Sequence, residues 1–134
     1  MAGSISKWLK FMFARDQEWL IREVLKPGEE ILYIVENCRI KDIRPGKMQK
    51  SPVGLMVATD RRVLLFIPRL FEEFKIEEYP YDQITSIGLC ETPYFSGCID
   101  LESNNVKRTI FWINPKSEAE EMVRVIRERA KLNK

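Results

Sequence analysis

From residue 31 onward the apolar residues fall on a period of two, broken by turn-forming residues. The runs 31–40, 53–59, 62–68, 74–79, 84–90, 98–103 and 106–113 therefore read as seven short strands. Seven strands at that spacing imply a mainly β sandwich or barrel. In the last hairpin Ile99 and Leu101 lie on one side and Asp100 and Glu102 on the other. Asn104-Asn105 turns the chain, and Thr109, Phe111 and Ile113 are read as lying opposite Lys107, with Arg108 interleaved with the other face, which separates a core side from a solvent side. Ahead of the strands, Ile5, Trp8, Leu9, Met12, Phe13, Trp19, Leu20 and Val24 form one stripe at helical spacing, predicting an amphipathic helix over 5–25. Asp16 interrupts that stripe, so the segment is either one rod or a kinked pair with Asp16 capping the second helix. Pro27-Gly28 ends it. At the other end Ser117-Glu118-Ala119-Glu120 reads as a capping box. Behind it Ala119, Met122, Val123, Ile126 and Ala130 mark a helix over 115–132 with one buried face, and its basic end suits the helix dipole.

The stretch from Gly54 to Phe66 sets two apolar strands on either side of Thr59-Asp60-Arg61, a tight polar corner. Asp suits such a corner because its carboxylate bonds backbone N–H groups two residues on. This hairpin is followed by Glu77-Glu78-Tyr79-Pro80-Tyr81-Asp82-Gln83-Ile84-Thr85-Ser86-Ile87 and preceded by Leu25-Lys26-Pro27-Gly28-Glu29-Glu30-Ile31-Leu32-Tyr33. That ordered set, closed by the C-terminal amphipathic helix, resembles the bacterial pleckstrin-homology (PH) families, nearest the YokE-like PH domain, over roughly Val24 to Leu132. The resemblance implies a PH-like barrel of seven antiparallel strands in two near-orthogonal sheets, with the C-terminal helix plugging an open corner and an extra amphipathic helix at the N-terminus. Residues 1–134 are then a single domain: a helical extension over 1–26, a seven-strand core over 27–114 and the closing helix over 115–132. The corner at Thr59-Asp60-Arg61 is expected to be architecture, with Arg61 or Arg62 lying across the sheet.

Composition narrows the chemistry. With 45% apolar and 31% charged residues, the 134-residue chain has the balance of an ordinary globule, and its net charge of +2 points to no partner class. It contains no histidine, and Cys38, Cys90 and Cys98 form no C-x-x-C pair, so a zinc site has too few ligands and no metal or cofactor is expected. The odd count and the missing export signal favour reduced thiols in a cytoplasmic protein, although Cys90 and Cys98 flank one turn and are placed to face each other. Charges at Lys7, Lys10, Arg15 and Asp16 exclude a signal peptide, and no apolar run reaches membrane-spanning length. No nucleophile has a base beside it, and the pair Glu77-Glu78 points to opposite faces of a strand, so an enzyme is not expected.

Three segments are candidates for binding. Arg39, Lys41, Arg44, Lys47 and Lys50 outnumber Asp42 between the first two strands, where lipid-binding PH domains line a headgroup site. The basic pair that such sites want on the second strand is missing from 53–59, and a merely solvated loop competes with the lipid reading. Trp8, Phe11, Met12 and Trp19, interleaved with cations, suit a membrane interface, a neighbouring subunit or the domain's own core. Tyr94 and Phe95 in the turn Pro93 to Gly97 offer a partner anchor or a lid. The expected function is a non-enzymatic binding or assembly module, acting through self-association or another protein. The alternative is peripheral attachment to anionic phospholipid through 39–50 and the N-terminal helix, at the inner membrane surface. Basic and aromatic residues alternate in no nucleic-acid-binding order, so nucleic acid is not an expected partner.

Overall fold

The computed structural model describes residues 18–41, 53–69, 72–91 and 96–131. A helix, α1 (Glu18–Val24), precedes the strands β1 (Ile31–Lys41), β2 (Val53–Thr59), β3 (Arg62–Arg69) and β4 (Glu72–Pro80). A single 3-10 turn, Tyr81–Gln83, leads into β5 (Ile84–Leu89), β6 (Gly97–Ser103), β7 (Val106–Ile113) and the closing helix α2 (Lys116–Ala130). The two-residue period thus placed every strand. The strands do not form two separate sheets, however. They are hydrogen-bonded antiparallel into one unclosed sheet in the order β4-β3-β2-β1-β7-β6-β5.

What joins the two halves is the length of β1. It pairs with β2 along most of its course, and its end, Arg39 to Lys41, pairs with Phe111, Ile110 and Thr109 of β7. A bulge between Val35 and Cys38, with Asn37 at φ +56°, bends the strand there. Asn tolerates that left-handed conformation better than most residues, and a bulge deepens local twist. One strand therefore serves both halves of the sheet.

The unbroken apolar runs of β2 and β3 follow from burial on both faces. Met56, Ala58, Val63 and Leu65 face the interior with Val35, Ile99, Leu101 and Ile110. Leu55, Val57, Leu64 and Phe66 face the other way, packed with Ile21 of α1 and flanked by Val24, Leu25, Ile31 and Ile34. α1 thus packs on the chain's own sheet chiefly through Ile21, which the predicted stripe leaves out, with the stripe's Val24 beside it. The stripe's earlier part lies outside the described residues.

The closing helix buries Ala119, Met122, Val123 and Ile126, the face its spacing predicts. The capping box does not form. Pro115, in extended conformation, takes the N-cap position, and Ser117 falls inside the first turn with no side-chain cap. The Glu118 N–H is met by the Pro115 carbonyl at 3.0 Å instead. Two further expectations need correction. Cys90 and Cys98 are not reduced: they form a disulfide, because the β5–β6 ladder runs on to this pair and Cys90 N–H donates to the Cys98 carbonyl at 2.9 Å. Cys38 alone keeps its thiol, which burial pushes up to about 12 and so leaves unreactive. In β7 the core positions are Ile110 and Ile113, not Thr109, Phe111 and Ile113. Two residues of β7, Phe111 and Trp112, oppose the single Cys98 of β6, and this bulge resets the inside-outside alternation.

Candidate functional site

The corner motif is a locked joint. Lys26-Pro27-Gly28-Glu29 forms a tight turn with Gly28 at φ +78°, closed by Glu29 N–H donating to the Lys26 carbonyl at 3.0 Å. Pro at the second position and Gly at the third are what such a turn requires. It presents the buried Glu29 carboxylate to the β2–β3 hairpin. Oε2 accepts from Thr59 Oγ1 at 2.7 Å and Arg62 Nε at 2.9 Å, and Oε1 accepts from Arg62 Nη2 at 3.0 Å and Lys26 N–H at 2.9 Å. Arg62 also donates to Glu78 at 2.5 Å and to the Val24 carbonyl at 3.1 Å. The hydrogen bonds from Arg62 outweigh burial and hold the Glu29 carboxyl at about 2.

Within the turn, Thr59 takes the part expected of Asp60. Its Oγ1 accepts from the Arg61 and Arg62 N–H groups at 3.1 Å each. Asp60 reaches away, accepting from Glu30 N–H at 2.9 Å. Tyr81 completes the joint by donating to the Thr59 carbonyl at 2.6 Å. The motif is architectural, tying α1, the turn, the hairpin and β4 together.

A second ionic cluster sits between the two halves of the sheet. Glu77 of β4 accepts from Arg108 of β7 at 2.7 and 2.8 Å and from Tyr79 at 2.6 Å, with Lys75 at 3.0 Å. Three strands separate β4 from β7 in the sheet, so this contact is possible only because the sheet curls over its own interior. Burial pushes the Glu77 carboxyl up, but the bonds from Arg108, Tyr79 and Lys75 together hold it at about 2. Glu78 turns to the opposite face and Arg62, as strand alternation requires. The buried Glu29 and the partly buried Glu77 are thus ionised and engaged by cations at neutral pH, which unfits them for proton transfer. Among the described residues no group of side chains is arranged to hold a metal ion, and no helix is long and apolar enough to cross a membrane.

Of the residues proposed from sequence, Arg39 is the one whose surroundings are described. Lys41 ends β1 and Trp19 lies in α1, while Trp8, Phe11, Met12, Arg44, Lys47, Lys50, Tyr94 and Phe95 lie outside the described residues. Arg39 stacks on a residue that sequence reasoning missed: its guanidinium carbon lies 5.0 Å from the ring centroid of Trp112. Trp112 is 49% exposed and stands at φ +59° in the β7 bulge, its ring edge-on to Phe111 with centroids 6.1 Å apart. A bulky residue in the left-handed region costs on the order of 1 kcal/mol. The sequence held a signal for this, since Ile110 and Ile113 are three apart and share a strand face only if one residue is extra.

The sheet's two outer strands differ in chemistry. β4 carries Glu72, Glu73, Lys75, Glu77 and Glu78 and ends in Pro80, whereas β5, Ile84-Thr85-Ser86-Ile87-Gly88-Leu89, has neither charge nor proline. Charges and proline are how sheet edges are ordinarily guarded against pairing. Beside β5 runs a groove of about 500 Å³ against α2, lined by Leu89, Val123, Arg124, Arg127, Glu128 and Lys131 among others. Arg127 reaches across to donate to the Ile87 carbonyl at 3.2 Å, and Leu89 is 46% exposed.

Comparison with known proteins places this architecture. Residues 25–128 match the family model described as Bacterial PH domain. No curated protein matches the chain. Among solved structures, the C-terminal domain of an unknown protein from Leishmania infantum superposes with a TM-score of 0.65 at 13% identity, covering 87% of this chain and 99% of that one. The Vps36 N-terminal PH domain gives 0.59 at 12%, covering 81% and 83%. A protein of the DUF1696 family with a pleckstrin-homology domain, from Shewanella loihica, gives 0.57 at 14%, covering 86% and 93%. At such identities the likeness concerns the fold.

Proposed function

The chain belongs to the bacterial PH domain family, and from that footing we propose that it is a non-enzymatic module for protein contact, self-association first, working through the open edge of β5. Within the family we assign it to the YokE-like group, on the order of the Pro27-Gly28-Glu29 and Thr59-Asp60-Arg61 motifs. We read the whole chain as one domain with a helical extension over 1–26, a core over 27–114 and a closing helix over 115–132.

The observation that carries the reading is the contrast between the two outer strands. A strand edge offers a row of backbone donors and acceptors to any extended chain that reaches it. The residues of β5 itself carry no charge, and Thr85 and Ser86 are exposed beside it; Arg127 of α2 already donates to the Ile87 carbonyl, so the row on offer is what that arginine leaves. The adjoining α2 face mixes both signs, with Arg124 paired to Glu121 and Glu128.

The test is the solution mass by light scattering across a concentration series, for the natural chain and for a Ser86→Lys, Leu89→Lys variant that charges the edge. The natural chain should exceed its 15.8 kDa monomer mass, and the variant should return to it. A natural chain of monomer mass at every concentration, or a variant of undiminished mass, rejects the proposal.

A further inference from the structure

We propose that Arg127 reads a carboxylate side chain on an extended acidic segment of a partner protein, one that pairs with β5. In the β5–β6 ladder Cys90 N–H donates to the Cys98 carbonyl, so the register turns the backbone groups of Gly88 toward β6 and those of Ile87 and Leu89 toward the open side. The Ile87 carbonyl is therefore one of the groups an arriving strand uses, and Arg127 Nη2 already donates to it at 3.2 Å. A strand without charged residues of its own is guarded from the helix instead.

The guard is incompletely bonded. Arg127 Nε is buried and has no hydrogen-bond partner among the described residues. Nε and Nη2 form the edge of a guanidinium that matches a carboxylate, and Arg62 shows that edge satisfied: the same two nitrogens both bind Glu29, at 2.9 and 3.0 Å. At Arg127 a neutral backbone carbonyl stands in that place, and an unmet buried donor is costly. Lys131, at the end of α2, lines the same groove and adds a second cation, while Leu89 and Val123 offer apolar surface to neighbouring side chains of the arriving strand. Glu120 and Glu128 line it too, but Glu128 is engaged by Arg124 at 2.8 Å. A strand carrying Asp or Glu draws the guanidinium off Ile87 into two charge-assisted bonds, and its own backbone N–H takes the freed carbonyl. Reading the acid and pairing the strand are one exchange. This goes beyond self-association, because β5 has no carboxylate to bring: the acidic segment takes the edge in place of a second copy.

The probes are short peptides of alternating threonine and valine, blocked at both ends, with a central glutamate or glutamine, and the glutamine peptide again with a free C-terminal carboxylate. Each is titrated into the full chain by calorimetry while the backbone amide signals are followed by NMR. The glutamate peptide should bind about ten-fold tighter than the blocked glutamine peptide, the worth of charge-assisted bonds over neutral ones, and should move the Ile87 and Leu89 amide signals. Arg127→Gln should make the two peptides equal, and Arg127→Lys, which keeps the charge without the fork, should fall between. A natural chain that does not tell glutamate from glutamine overturns the proposal, as does either variant with the full preference, or amide shifts centred away from β5. A free-carboxylate peptide that binds as tightly as the glutamate peptide also overturns it, in favour of a chain terminus as the ligand. The outcome separates from that of self-association: a monomeric chain that prefers glutamate sustains this proposal and rejects the other, and an oligomer without the preference does the reverse.

Discussion

Replacing Glu29 with glutamine keeps the shape of the corner and removes its charge. The carboxylate accepts four hydrogen bonds, two of them from Arg62. A carboxyl held at about 2, against 4.5 unfolded, stabilises the fold by about 3 kcal/mol at neutral pH, at ~1.4 kcal/mol for each pH unit between the two. An independent route gives the same size: removing one partner of a buried ion pair costs about 3–5 kcal/mol, and here the lower end applies because Arg62 keeps Glu78 and the Val24 carbonyl. For a chain of this length that is a drop of roughly 10 °C in Tm. The pH dependence follows from the sign. The folded-state value is depressed, so the stabilisation is fully present above about 4.5 and is lost as pH falls through about 2. Urea denaturation of both proteins at pH 7 and pH 3 therefore should show a wide gap at pH 7 and a narrower one at pH 3. Glu77 titrates in the same window, but it is common to both proteins and cancels in the difference. A gap under 1 kcal/mol at pH 7, or one that does not shrink with acid, would refute the account of the corner.

Two further outcomes bear on packing. At Gly97 a methyl group would stand 2.6 Å from the Ala119 Cβ, so Gly97→Ala should cost about 1–3 kcal/mol, and Ala119→Gly in the same chain should recover most of it. Chemical denaturation of the single and double variants decides this, and a double variant no better than Gly97→Ala counts against direct contact. Removing residues 1–24 takes Ile21 off Leu55, Val57, Leu64 and Phe66, so the truncated chain should bind hydrophobic dye and aggregate. A soluble, cooperatively melting truncation would show instead that this face needs no helix.

The strands and the closing helix were legible because their periods are strong and uninterrupted. The burial of β2 and β3 on both faces was not read from the sequence, although their two runs have no polar side. What escaped depends on single insertions. Asn37 bends β1 so that one strand serves both halves, and an asparagine among apolar residues does not announce a bend. The extra residue at Phe111–Trp112 reversed the expected faces of β7, because a slip of one exchanges inside for outside. The cysteine pairing turned on strand register, which a count of three cysteines does not contain. Proline at 115 displaced the capping box through its own fixed geometry. Of the Arg39–Trp112 stack, Arg39 was named from the run of cations, whereas Trp112 became visible only when the bulge placed it beside that arginine.

If the chain self-associates through β5 as proposed above, the unequal edges of the sheet also set how far the assembly grows. A unit with one usable edge has a valence of one. When β5 meets β5 about a two-fold axis, both usable edges are consumed and only the two β4 strands, with their five charged residues each and a terminal proline, remain outside. Pairing of β5 with β4 would leave a fresh β5 at every step, and a chain of copies would lengthen without end. On that reading the charges and terminal proline of β4 are what keep the pair closed.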